Sequence, residues 1–278
     1  MIMLIGRTVQ RLALLVLALT LVSAHLSAQA TIIFLADDQG NVGRYDVGTQ
    51  QGAALGSLSA SQFTPDQVIG LAYDADTNSV LLFDRNVSTV YTMNAVTGVA
   101  SVLFTTQGVQ LQGGAVFNGL VYGIDEYTQT LKAYDFAGVP QTLTGTALSA
   151  HVHSLAVDPQ GVRLVYHASS SGLRVINPDG TEGDVIQSMT TTGSEDIDYF
   201  NGDYLLVNYG RQAYLLDVET GATSFFLDST QLSAMGLTGS MSGVAVQIAA
   251  VPEPATWVLL LTGLAVVAVT IVRQRRRP

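Results

Sequence analysis

The chain of 278 residues contains no cysteine, one tryptophan and four histidines, and only 12% of it is charged. Without cysteine there is no disulfide framework, no thiolate zinc site and no cysteine nucleophile. The charged fraction is about half the ~25% usual for globular chains, and 48% of the residues are hydrophobic, a balance that excludes a disordered chain. Positive charge is scarce: 12 basic residues stand against 22 acidic ones, for a net charge of -10. Sequence-independent binding to nucleic acid or to an anionic membrane surface needs clustered Lys and Arg, so neither is expected. Long apolar runs are confined to the two ends.

Residues 1–30 have the order of a secretory signal peptide. Arg7 and Arg11 give a positive start, residues 12–22 are almost purely apolar, and Ala28-Gln29-Ala30 is a small-x-small cleavage site. Sec-type export machinery and a signal peptidase are the partners this implies. At the other end, residues 255–272 form a run of 18 without a charge. As a helix it would be about 27 Å long, close to the thickness of a bilayer core. Trp257 sits at its start, where an interfacial aromatic belongs, and Arg273, Arg275, Arg276 and Arg277 follow it. The positive-inside rule puts this tail in the cytoplasm and the body on the far side, the topology that a signal peptide also demands.

The segment Val251-Pro252-Glu253-Pro254-Ala255-Thr256-Trp257, the apolar stretch and the arginine cluster together resemble the PEP-CTERM sorting signal of exported bacterial proteins. The resemblance covers residues 251–278. It implies recognition of Pro252, Glu253 and Pro254 by a membrane protease-transpeptidase, the exosortase, which removes the tail. It also implies an inner-membrane-anchored precursor with its body in the periplasm, delivered to the cell surface or to an exopolysaccharide and biofilm matrix. Paired prolines keep such a stretch extended, as a protease substrate must be. The resemblance concerns sorting and leaves the body, residues 31–250, open.

Six of the 12 basic residues but only Glu253 of the acidic ones lie outside the body, which therefore carries 6 basic and 21 acidic residues, net -15. Its sequence repeats. Five segments share an apolar run, a polar turn and a second run ending at Asp46, Asn94, Asp135, Asn177 or Asp217, with separations of 48, 41, 42 and 40 residues. A period near ~40–45 residues built of short strands marks the blades of a β-propeller. Further strands are expected at 68–73, 114–117, 154–157 and 196–200, with small residues suited to crowding about an axis. The first unit lacks this inner strand, and 242–250 is the candidate to supply it and close an all-β, five-bladed ring. Residues 48–63 look irregular. A β-sandwich or an open solenoid is the alternative architecture.

Chemistry is weakly signalled. There is no Gly-x-Ser-x-Gly elbow, P-loop, His-Glu-x-x-His, EF-hand or Rossmann glycine pattern. Three histidines lie in the body. His151 and His153 would share one face if their segment were a strand, at a rim of the axial channel, and a metal site there would need further ligands. Asp196 and Asp198 would share a face of the fifth inner strand, able to bind calcium, to act as paired carboxylates on a glycan, or simply to face water. Asp37-Asp38-Gln39-Gly40-Asn41 lacks the distal acid of a calcium loop and reads as a turn. The expectation is a noncatalytic surface or matrix propeller that binds a glycan or another protein and has no obligatory cofactor. The alternative is a propeller lactonase, glycan hydrolase or lyase with an axial metal or carboxylate site. An enzyme would show several acids or histidines converging on one axial pocket; a scaffold would show a small, mostly apolar or hydroxylated channel.

Overall fold

The computed structural model describes residues 31–158, 163–168, 172–188 and 194–247. The expected signal peptide with Ala28 and Ala30, the expected sorting motif Pro252-Glu253-Pro254, Trp257 and the arginines at 273 and 275–277 lie outside the described residues. Among the described residues no helix is long and apolar enough to cross a membrane.

Twenty strands form five four-stranded antiparallel sheets. Blade two is β4 Val68–Asp74, β5 Ser79–Asp84, β6 Thr89–Asn94 and β7 Ala100–Thr105. Blade three is β8 Leu111–Phe117, β9 Leu120–Asp125, β10 Leu131–Tyr134 and the short β11 Pro140–Gln141. Blade four is β12 Ser154–Asp158, β13 Arg163–Ala168, β14 Gly172–Ile176 and β15 Glu182–Gln187. Blade five is β16 Asp196–Phe200, β17 Asp203–Asn208, β18 Gln212–Leu216 and β19 Thr223–Leu227. Blade one combines β1 Ile32–Asp37, β2 Asn41–Asp46 and β3 Gln51–Ser57 with the last strand, β20 Met241–Gln247. The chain is thus a five-bladed β-propeller, and the expected closure is present: β20 pairs with β1 from Ile32↔Gln247 to Asp37↔Met241.

The irregular stretch at 48–63 contains β3, an outermost strand with no buried residue, followed by a single 3-10 turn at Ser59–Ser61. An outer strand facing solvent on both sides has no apolar alternation by which to be recognised.

The core is divided into five clusters, one at each junction of blades. Ile33 and Leu35 pack toward blade five, with Leu205, Val207 and Met241. Phe34 and Ala36, one residue out of phase, pack toward blade two with Val80 and Leu82. Leu81 and Phe83 in turn face blade three. Each second strand is buried on both faces, which is why these strands read as continuous apolar runs rather than alternating ones. A helix, α1 Ser229–Ala234, caps the junction of blades five and one. Its N-cap Asp228 accepts from the Thr230 and Gln231 amides, and Gln231 returns a bond to the Asp228 backbone, a complete capping box.

The inner strands meet at the axis backbone to backbone. A Cβ on Gly113, whose φ is +58°, would lie 2.8 Å from the His153 carbonyl oxygen and from the Leu155 amide. A Cβ on Gly70 would lie 2.7 Å from the Gly113 Cα. Small residues at these positions are what allow five strands to converge.

Candidate functional site

In a meander of four strands, the loop before the inner strand and the loop between the second and third strands emerge at the same end. Every blade places a polar side chain there. Blade two supplies Arg85 and Gln67, blade three Glu126, blade four His151 and His153, blade five Glu195 and Tyr209, and blade one Asp38.

Arg85 Nη1 donates to Glu126 Oε2 at 3.1 Å, and its Nη2 donates to Gln67 Oε1. The other oxygen of Glu126, Oε1, lies 4.0 Å from His151 Nε2. The His151 and His153 rings pack edge to face with centroids 4.5 Å apart. One ligand-capable atom from each of Glu126, His151 and His153 falls within 4.8 Å of the others. His153 Nδ1 is 3.7 Å from Glu195 Oε2, beyond hydrogen-bonding distance, and both atoms are buried without a partner. Burial, aided by the neighbouring His151, holds the His153 imidazole below its ordinary range. Burial pushes Glu195 up, while the Tyr209 phenol and the Arg85 charge oppose that shift. Tyr127 and Tyr209, in the loops between second and third strands, leave 75% and 47% of their surface exposed at this end.

The two histidines belong at this rim but not on a strand. The Val152 amide donates to Gln129 Oε1 at 2.7 Å, and its carbonyl accepts from Gln112 Nε2 at 2.6 Å. Side chains of blade three thus take the backbone bonds that a neighbouring strand would have taken, and pairing begins only at Ser154. Glu126 and Glu195, which complete the cluster, were not legible beforehand as its members. Glu195 adjoins Asp196, but only the fold shows that its side chain turns to the rim.

Asp196 and Asp198 do not join the rim cluster. Asp196 has no exposed surface. Its Oδ2 accepts the Leu71 amide at 2.9 Å and the Val244 amide at 3.0 Å, which ties β16 to β4 and β20. Burial holds its carboxyl well above the usual carboxylate range. Asp198 Oδ2 accepts the Val246 amide at 2.6 Å, and Oδ1 accepts the Tyr199 amide. Burial pushes Asp198 up to about 7. It borders an axial cavity of about 110 Å³ toward the other end of the propeller, where Ala72, Ala115, Val157 and Val246 represent the remaining blades. Neither acid simply faces water, and neither is poised as half of a carboxylate pair, because backbone amides occupy both. The 37–41 segment is a turn, as read: Asp37 Oδ1 accepts from the Gln39 and Asn41 amides, and Oδ2 from Thr238 and Gly239.

One recurrent signal passed unread. Asp37 and Asp84 both close the second strand of their blades, and both receive backbone N–H groups from the segment leading into the inner strand, at Thr238 and Gly239 or at Asp66 and Gln67. Asp125 ends β9 at the same place.

No protein-family model matches the chain, and no curated protein matches it. Among solved structures it is similar to a chain of a nidogen/laminin complex, with a TM-score of 0.58 and 12% identity over 78% of this chain and 98% of that one. A protein of unknown function from Bacteroides caccae superposes with a TM-score of 0.46 and 9% identity, covering 78% of this chain and 99% of that one. Another of unknown function, from Bacteroides thetaiotaomicron, gives 0.45 and 17% identity over 72% and 51% of the two chains. At these identities the first likeness is one of fold alone, and it agrees with the propeller architecture.

Proposed function

We propose that this protein is an exported, noncatalytic propeller that binds a glycan or a partner protein through its five-blade polar rim. The observation that carries the reading is the contrast between the two ends of the axis. The rim gathers a cation, three carboxyl groups, two imidazoles and two exposed tyrosines. The axial cavity is small and largely apolar, and its carboxyl accepts backbone amides. Exposed tyrosines offer a flat apolar face with a polar edge, suited to sugar rings and to protein surfaces alike. The propeller lactonase, hydrolase or lyase reading is weaker: its carboxylate form would draw on Asp196 and Asp198, which accept backbone amides, and its metal form on an axial pocket, whereas the axial cavity sets Ala72, Ala115, Val157 and Val246 around Asp198 alone.

Delivery completes the proposal. The signal peptide directs the body to the periplasm, residues 255–272 hold the precursor in the inner membrane, and the exosortase releases it to the cell surface or matrix. A glycan array and a surface-protein capture assay, run on wild type and on Tyr127→Ala and Tyr209→Ala, test the rim. Binding that falls about tenfold in either variant supports it; undiminished binding in both, or turnover of a lactone or polysaccharide, overturns it. Mass spectrometry of surface material tests the route. A wild-type chain intact through Pro278 at the surface, or a Pro252→Ala/Glu253→Ala double variant processed normally, would count against it.

A further inference from the structure

The rim holds a donor set that binding to a glycan or a protein does not require. We propose that Glu126, His151 and His153 form a site for a zinc-class divalent cation, with Glu195 as the carboxylate that orients His153. The proposal stands independently of what the rim binds.

Three observations support it. The first is convergence. The three ligand-capable atoms come from two blades and lie within 4.8 Å of one another. A tetrahedral set around an ion at ~2.1 Å needs ligand separations of roughly 3.4 Å, so closure asks for a contraction of up to about 1.4 Å. The His151 side chain is 55% exposed and free to supply that movement. The second is orientation. Glu126 has one oxygen fixed by Arg85 and the other turned toward His151, so the salt bridge leaves a single donor for the ion. The third is the unpartnered pair. Glu195 is 8% exposed, and its Oε2 faces the equally unpartnered His153 Nδ1. A metal at His153 Nε2 would leave Nδ1–H to donate to Glu195, the carboxylate–imidazole–metal relay that fixes a ligand's tautomer and ring plane. Without an ion, two buried polar atoms are left facing each other across 3.7 Å.

The donor types select the ion. Two imidazoles and one carboxylate suit zinc and its neighbours, whereas calcium takes six to eight oxygens. Three protein donors leave the fourth position to water, so the turnover assay on lactones and polysaccharides described above is repeated with the metal-loaded protein.

The test is a calorimetric titration of the full chain in mild detergent, carrying a histidine-free affinity tag and stripped with chelator, with Zn²⁺ and separately with Ca²⁺. The expected result is one equivalent of Zn²⁺ at micromolar affinity or better, with Ca²⁺ silent, and a metal-dependent rise in Tm of several degrees. His151→Ala should weaken Zn²⁺ binding at least a hundredfold while leaving the metal-free Tm unchanged, since the residue is half exposed. Glu195→Gln should weaken it ten- to a hundredfold. Absence of stoichiometric Zn²⁺ binding, preference for Ca²⁺, or unaltered Zn²⁺ affinity in both His151→Ala and Glu126→Gln would overturn the proposal.

Discussion

The carboxyl of Asp196 accepts the backbone amide of Val244 at 3.0 Å, joining the inner strand of blade five to the strand that closes blade one. The same oxygen accepts Leu71 of blade two at 2.9 Å, so one side chain stitches three inner strands together at the axis.

Removing that acceptor should destabilise the propeller strongly. Asp196→Ala leaves two buried amides unpaired, at ~1–3 kcal/mol each, out of a total stability of ~5–15 kcal/mol. Asp196→Asn keeps an acceptor oxygen and, because burial already disfavours the charged acid, should lose far less. Urea unfolding of both variants decides; equal losses would show that charge, not acceptance, is what matters there.

Asp198 should make stability fall as pH rises. Burial lifts its folded pKa to about 7, above the ordinary aspartate value of 3.8. Its contribution is therefore fully present below ~4 and lost as pH climbs through about 7. The Cm of Asp198→Asn minus that of wild type should rise from pH 5 to about pH 7 and level off by pH 8. A difference that stays flat across this range would refute the assignment.

His167 should act in the opposite direction. It is buried, with Nδ1 2.6 Å from Ser194 Oγ, and burial lowers its pKa to about 4. Its contribution is present above ~6.5 and lost as pH falls toward about 4. The fall in wild-type Cm between pH 6.5 and 4.5 should be shallower in His167→Asn, and an identical slope would exclude the histidine as its source.

Closure of the ring should be indispensable. A body ending at residue 240 lacks β20 and with it Met241, Val244, Ala245 and Val246, all buried. Each large apolar side chain lost removes ~1.5–3 kcal/mol, and the β1 edge is left open to pair with other chains. Aggregation or loss of cooperative melting is expected, against a folded body ending at residue 248. Matching melting curves for the two would show that β20 is dispensable.

Backbone contact at the axis makes a further demand. Gly113→Ala meets the His153 carbonyl at 2.8 Å with φ at +58°, whereas Gly108→Ala, at φ +94°, has nothing within 4 Å. Both should lose ~1–3 kcal/mol from the left-handed backbone, and Gly113→Ala should lose more through the clash. Equal Tm values for the two variants would mean that the strands part readily.

The blades and their closure were legible because burial on both faces of the second strands writes long apolar runs into the sequence, and because the turn residues recur. The missing inner strand of the first repeat could be assigned to the C-terminal segment by counting alone. The rim could not be read in full. Glu126 reaches the histidines from another blade, 25 positions before His151, and no spacing links them. A carboxyl on alternate positions of a strand looks the same in sequence whether water or a backbone amide is its partner, so the tie from Asp196 to Leu71 and Val244 was invisible.

The pairing of Ile32 with Gln247 sets the order of folding events as the chain is made. A chain that emerges N-terminus first presents β1 at the outset and β20 more than two hundred residues later. Blades two to five can form as each completes its own four strands, but blade one must wait with an exposed edge until nearly the whole body has emerged. Closing a loop of that length is slow relative to local hairpins. The final act of folding therefore waits for the last strand of the body, and until it arrives the β1 edge is the place where a second copy of the chain could pair instead.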